Sequence, residues 1–240
     1  MPILYNTLQH VFIAVLLLLP SFESDARNNQ QCARLTIAGA QSWYPFSYVQ
    51  PGDTSYSGVL KTKLKAQTDK QNIRLKHWTE LPWKRAEINL EKGNIDILLG
   101  AFYTPERAKK WYFSSPLASS ELVLFSLKET KDVTSLAQIY NKDVAYPYGM
   151  ATGKKFSAIT SKIKTEHIIH HEQIYGMLLK KHADFGLLPK LAVKTYLQNH
   201  LLKDKFKVHP VELDTQKVYL VTAKSNPCLK TIKTIFNHLS

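Results

Sequence analysis

GNIDILLGAFYTPERAKKWYFSSP, residues 93–116, decides how the rest of the chain is read. Gly93 can end a helix, and Ile95-Asp96-Ile97-Leu98-Leu99 is a buried-strand pattern that runs into Gly100 and Ala101. Small residues at a strand exit let a ligand come close to the backbone. Thr104-Pro105-Glu106 then supplies an N-cap, a first-turn proline and a first-turn acid, so a short helix starts beside the end of the strand. Unpaired N–H groups at such a start favour an anion, and Arg107 adds a planar cation whose fork matches a carboxylate.

On either side of this stretch, strand and helix patterns alternate. Residues 33–38 and 73–78 read as strands, and helices begin after Ser57-Gly58 and after Leu81-Pro82, the second carrying Trp83, Ala86 and Leu90 on one stripe. The order strand, helix, strand, helix, strand indicates a mainly parallel sheet covered by helices, with ligands at the carboxyl ends of its strands. Trp43-Tyr44-Pro45-Phe46 lies in a loop at such an exit, as core plugs or as a stacking surface. After a strand at 121–127 and a short helix at 133–140 the pattern restarts. Strands are expected at 144–148, 163–169, 183–188 and 216–223, with helices from Lys154, Ile174, Pro189 and Pro227. A second series of the same kind implies a second lobe.

The chain has 240 residues, ordinary apolar content and a formal charge of +13. Val11 to Leu19 is an unbroken apolar run followed by Pro20 and Ser24-Asp25-Ala26, the pattern of a secretory signal, although the residues before it carry no Lys or Arg. Nine residues are too few to span a bilayer, which takes about 20. Residues 1–26 are therefore read as a signal peptide, and the mature chain as a periplasmic protein. Its removal takes Glu23 and Asp25 but no Lys or Arg, so the positive charge grows by two. That balance favours anionic partners. Nucleic acid is excluded for an exported chain without a basic–aromatic recognition motif. Cys32 and Cys228 are the only cysteines, and export favours a disulfide between them. Such a bond places the last helix in the first lobe, so the chain crosses between lobes near 119–122 and near 212–216. The expected domains are 27–120 with 216–240 as one lobe and 121–215 as the other. A pair of crossings makes a hinge that can close on a ligand.

Trp43-Tyr44-Pro45-Phe46, Leu90-x-x-Gly93-x-x-Asp96, Thr104-x-x-Arg107 and Ser115-Pro116 together resemble the type II periplasmic solute-binding proteins of amino-acid ABC transporters, family 3. The resemblance implies an α/β fold of two lobes, each a mainly parallel sheet with flanking helices, joined by a two-strand hinge. It implies that Arg107 holds a ligand carboxylate, that Trp43 and Trp83 sandwich the rest of the solute, and that Gly100 and Phe102 cradle it beside Thr104. Phe102 replaces the hydroxyl residue usual in the family with an apolar wall. In the second lobe, Gly149-Met150-Ala151-Thr152 resembles a degraded carboxylate-binding turn in which Thr152 survives, and Tyr148 adds a ring or hydroxyl contact. An acidic residue common near Pro189 in amino-acid binders is missing here, and Asp184 sits earlier on its strand.

The expected function is capture of a small carboxylate-bearing solute, an amino acid or an aromatic or apolar acid, by hinge closure for an ABC-type permease. A sensory module read by a membrane receptor is the alternative, and a dehydratase-like enzyme on the same fold a further one. No catalytic residue, cofactor or metal is assigned, and a monomer is expected. His167, His170 and His171 straddle a strand end and read as diverging rather than as metal ligands. Glu80 and Glu87, on either side of Trp83, read as an exposed helix face.

Overall fold

The computed structural model describes residues 32–239. The signal-peptide reading of 1–26 lies outside them. No helix among the described residues is long and apolar enough to cross a membrane.

Strand Ile97–Phe102 is buried along its whole length. Leu98 faces a cluster with Ala86, Leu90 and Trp111, while Ile97 and Leu99 face the larger core with Leu35, Leu60 and Leu64. Burial on both faces is what a parallel strand between helix layers requires, and it explains the continuous apolar run. Arg34–Gly39 lies between Ile97–Phe102 and Arg74–His77, parallel to both. The second lobe repeats the arrangement: Asp143–Pro147 is parallel to Lys164–Ile168 and Phe185–Pro189.

Two long antiparallel strands join these halves. In Ala118–Leu127, Ala118 to Glu121 faces Val218 to Thr215 of Thr215–Ala223. Its continuation from Leu122 pairs instead with Pro189 to Gly186 of the second lobe. Strand Thr215–Ala223 also pairs with Ile97–Phe102 of the first. The hinge is thus unbroken strand backbone, and one hydrogen-bonded path runs from Lys164–Ile168 to Arg74–His77.

The chain ends fasten the first lobe. Cys32 and Cys228 are disulfide-bonded. Asp96 accepts from the Thr36 N–H at 2.7 Å and from Asn226 Nδ2 at 2.9 Å, and Asn226 Oδ1 accepts from the Cys228 N–H at 2.7 Å. Asp96 therefore serves as a brace that holds the first strand and the C-terminal segment together.

Several elements differ from the sequence reading. The loop around Trp43 is flanked by a small antiparallel sheet of Ser42–Trp43, Ser47–Val49 and Tyr56–Ser57. Trp111–Phe113 and Phe206–Val208 add two short strands. Segments of two or three residues are too short to show a periodicity of 2. Residues 133–140 hold only a 3-10 turn, Leu136–Ile139, closed by a reciprocal cap between Ser135 and Gln138.

His209 is buried in the second lobe next to the returning hinge strand. Its Nδ1 accepts from the Val133 N–H at 3.3 Å, so the proton sits on Nε2 and is donated to Ser126 Oγ at 2.8 Å, whose hydroxyl turns to the Leu127 carbonyl at 3.0 Å. Burial, and then the charge of Lys207, hold the His209 imidazole below the usual histidine range. A histidine with a depressed folded-state pKa contributes stability above its unfolded value, 6.5, which is lost as pH falls through the folded value. The melting temperature is expected to fall on acidification from pH 7 to pH 5, and to fall less steeply in His209→Gln. An equal slope in that variant, measured by calorimetry, removes His209 from this role.

Candidate functional site

Where the lobes meet lies a small, half-open apolar cavity of about 50 Å³. Trp43, Trp83, Gly100, Phe102 and Arg107 line it from the first lobe. Pro147, Met150, Ala151, His171 and Pro189 line it from the second. Five of the eight sequence-assigned ligand residues therefore share one wall.

Arg107 sits between this cavity and a larger outer one of about 320 Å³, which it also lines with Thr104, Lys84 and Glu87. Its position follows from local structure. Strand Ile97–Phe102 ends, Thr104 caps helix Pro105–Lys110 by accepting from the Arg107 N–H at 3.2 Å, and the side chain folds back over the strand exit. There Nη1 donates to the Phe102 carbonyl at 2.9 Å. Nη2 donates to the Gly149 carbonyl of the second lobe at 2.8 Å and to Glu87 Oε1. The guanidinium carbon lies 5.7 Å from the Trp83 ring and 5.2 Å from the Trp111 ring, which together add cation–π attraction.

Glu87 corrects the sequence reading. It stands one helical turn from Trp83 in helix Trp83–Glu91, on the stripe that also holds Ala86 and Leu90, and only 6% of its side chain is exposed. Lys84 Nζ meets its other oxygen at 2.9 Å. A carboxylate buried in an apolar stripe needs charged partners, and Arg107 and Lys84 supply them. The signal was present in the sequence, since positions 83 and 87 are four apart and share a face. Glu80, by contrast, is exposed.

Trp43 is 94% buried, and its ring stands edge-on to Phe46 and Phe102 with centroids 5.3 and 5.0 Å away. It is both a core plug and a cavity wall. Gly100 has φ +96°, and a Cβ there would stand 2.7 Å from the Trp43 ring and 2.9 Å from Leu60. What approaches this glycine is the indole. Thr152 is buried at the start of helix Gly153–Ser157 but lines neither cavity; Met150 and Ala151 do. Tyr148 is also displaced from its assigned place: its side chain is 53% exposed and packs edge-on against His167. Strand alternation explains this: Pro147 lines the cavity, and its neighbours Tyr146 and Tyr148 both pack against His167 instead.

Trp111 and His171 were missed. Trp111 is hidden within the residues after Arg107, where no short pattern separates an indole facing a guanidinium from one facing the core. His171 stands directly before helix Glu172–Leu179, at the exit of Lys164–Ile168. Its place at a strand exit was the available signal. Among the described residues no three His, Cys, Asp or Glu side chains gather as metal ligands.

A model of the bacterial extracellular solute-binding proteins, family 3, matches residues 35–239. The chain belongs to this family, as its two-lobed architecture and interlobe cavity already indicated. Solved structures share the fold at low identity. Holo ArgBP from T. maritima is 16% identical, covers 87% of this chain and 88% of its own, and superposes with a TM-score of 0.73. An amino acid ABC transporter substrate-binding protein from Streptococcus pneumoniae, bound to L-arginine, is also 16% identical, with coverage of 88% and 89% and a TM-score of 0.75. The B. pertussis BvgS periplasmic domain is 15% identical with a TM-score of 0.72; the match covers 88% of this chain but 41% of that one.

Gly100→Ala is expected to lower stability by about 2–4 kcal/mol, combining a positive-φ penalty with a clash against the indole. Denaturant unfolding checks the magnitude. Trp fluorescence should change in the same variant, since the ring that must move is Trp43.

Proposed function

We propose that this protein captures a small carboxylate-bearing solute in the cleft between its lobes and hands it to an ABC-type permease outside the cytoplasm. The observation that carries the reading is the state of Arg107. The guanidinium lines the apolar cavity, and its hydrogen bonds to Phe102, Gly149 and Glu87 occupy three of its five N–H donors. Two donors remain for a carboxylate. Family membership and the S. pneumoniae transporter protein of the same fold support delivery to a permease.

Closure follows from the hinge. Residues 32–120 with 216–239 form one body in this proposal, and 121–215 the other, swinging about the strands that contain Glu121 and Thr215. With the lobes apart, Arg107 loses the Gly149 carbonyl and faces water. A carboxylate bound there is then enclosed by Pro147, Met150 and Pro189. Exclusion of water strengthens each charged contact in the cleft. Trp43, Trp83 and Phe102 supply the apolar surface for the rest of the solute.

The protein binds without transforming its solute in this reading. Ser126 and His209, the buried hydroxyl–imidazole pair, support it: the imidazole donates to the serine and so cannot serve as its base. A second reading, a binding module whose closure another protein senses, draws on the match to the B. pertussis periplasmic domain, where this fold is part of a longer chain.

Titration calorimetry with short-chain and aromatic carboxylates tests the site. Glu87→Gln removes the internal competitor for Arg107 and is expected to tighten acid binding severalfold. Adding Arg107→Gln removes both charges together, avoiding an unpaired buried carboxylate, and is expected to weaken binding about a hundredfold, or ~3 kcal/mol. Unchanged affinity in the double variant overturns the assignment. Weaker acid binding in Glu87→Gln alone shows instead that Glu87 positions Arg107 for the acid rather than competing with it.

A further inference from the structure

The two lobes charge their outer strand pairs differently. In the first lobe, Arg34–Gly39 runs parallel to Arg74–His77, with Arg34 opposite Arg74 and Thr36 opposite Lys76. In the second, Asp143–Pro147 runs parallel to Lys164–Ile168, with Asp143 opposite Lys164 and Ala145 opposite Glu166. Arg74–His77 and Lys164–Ile168 are the two edge strands of the long sheet. The second lobe thus sets opposite charges against each other, and the first sets arginine against arginine.

Residues in register share a face of the sheet, as do residues two apart on one strand. Arg34, Arg74 and Lys76 therefore stand together, with Cα spacings of about 5–7 Å. All three are exposed. None of their side chains makes a hydrogen bond or an ion pair among the described residues. Asp96, which reaches the same strand, is held by the Thr36 N–H and Asn226 Nδ2. Residues 27–33, directly before Arg34, add Arg27 and no acid.

Charge on an edge strand also deters pairing with another chain. That accounts for Arg74 and Lys76. It does not account for Arg34, which lies on the strand inside the edge, where a like charge facing Arg74 costs stability. The second lobe guards its own edge with Lys164 and Glu166 and carries no such clash.

We propose that Arg34, Arg74 and Lys76 form a docking face for a membrane surface bearing anionic phospholipid. Guanidinium forks match phosphate oxygens, and a phosphate between Arg34 and Arg74 relieves their repulsion. None of the three lines a cavity of the cleft or the groove beside the hinge. A flat strand surface with three cations suits a plane of many phosphates better than one enclosed anion. The formal charge of +13, raised by two on loss of residues 1–26, draws the chain toward such a plane from a distance. Arg34 and Arg74 begin their strands, whereas the cleft lies at the carboxyl ends, beside Gly100 and Arg107. A molecule held by this face keeps its cleft away from the lipid. The inference is independent of what the cleft holds.

Vesicle flotation of the mature protein tests it. Vesicles of phosphatidylcholine mixed with phosphatidylglycerol should carry the protein, and pure phosphatidylcholine should not. High salt should release it, because exposed charges are screened. Arg34→Gln, Arg74→Gln and Lys76→Gln together should lower the partition coefficient about tenfold or more. Lys142→Gln, Lys164→Gln and Lys180→Gln remove the same charge from the second lobe and should lower it less than about threefold. All these residues are exposed, so a cooperative melt is expected in both triple variants. If the first triple does not melt cooperatively, Arg74→Gln alone is the readout, with a loss of about threefold. Absence of binding to the anionic vesicles overturns the proposal. Equal losses in the two triples also overturn it, since net charge alone then explains the binding. So does displacement by glycerol phosphate at the phosphate concentration of the vesicles, which marks a site for a free anion.

Discussion

A guanidinium withdrawn from water must be surrounded by charge and by oxygen atoms, and much of this structure near the cleft answers that demand for Arg107. Its side chain is 11% exposed. Glu87 enters an otherwise apolar helix stripe to meet it, the Phe102 carbonyl turns toward it at the strand exit, and Gly149 brings a carbonyl from the other lobe. Trp83 and Trp111 cover its flat faces. A buried cation left without these partners would cost several kcal/mol, so the residues around it are bound to one another energetically. Because one of those partners belongs to the second lobe, the pairing also rewards closure. The group suited to holding a solute is thus the group that holds the halves together.

The lobes are joined in a way that allows such coupling. Strands Ala118–Leu127 and Thr215–Ala223 each pair within both halves of the molecule or hand the chain from one to the other, so bending them changes the cleft without breaking a ladder. The first lobe is the firmer support. The Cys32–Cys228 bond and the Asp96–Asn226 brace fix the first strand to the last helix. The short arm that carries Arg107 starts from the central strand of that braced sheet. A recognition group on a rigid element and a cover on a moving one is a reasonable division of labour for a protein that must take up and release its cargo.

In the proposed reading, Glu87 weakens the net pull of Arg107 on a carboxylate, while Lys84 on its other oxygen leaves one net positive charge beside the cleft. The inner cavity lining carries no Asp or Glu to balance a ligand's ammonium.

Periodicity and punctuation along the chain determined the order of strands and helices and the existence of two similar halves, because each depends on contacts between residues near in sequence or on a strand buried over its full length. The cysteine pair and the Thr104–Arg107 arm were legible for the same reason: few residues, each with a strong local role. Tertiary structure alone decided which side chains face the cleft. Tyr148 is adjacent to the turn that reaches the cavity yet points to His167 and solvent, while Glu87, read as a surface acid, is buried because a cation twenty positions away needs it. His171 and Trp43 are separated by more than a hundred residues and come to one cavity only when the lobes meet. Pairings of that kind depend on how two bodies dock, and local pattern carries no record of the docking.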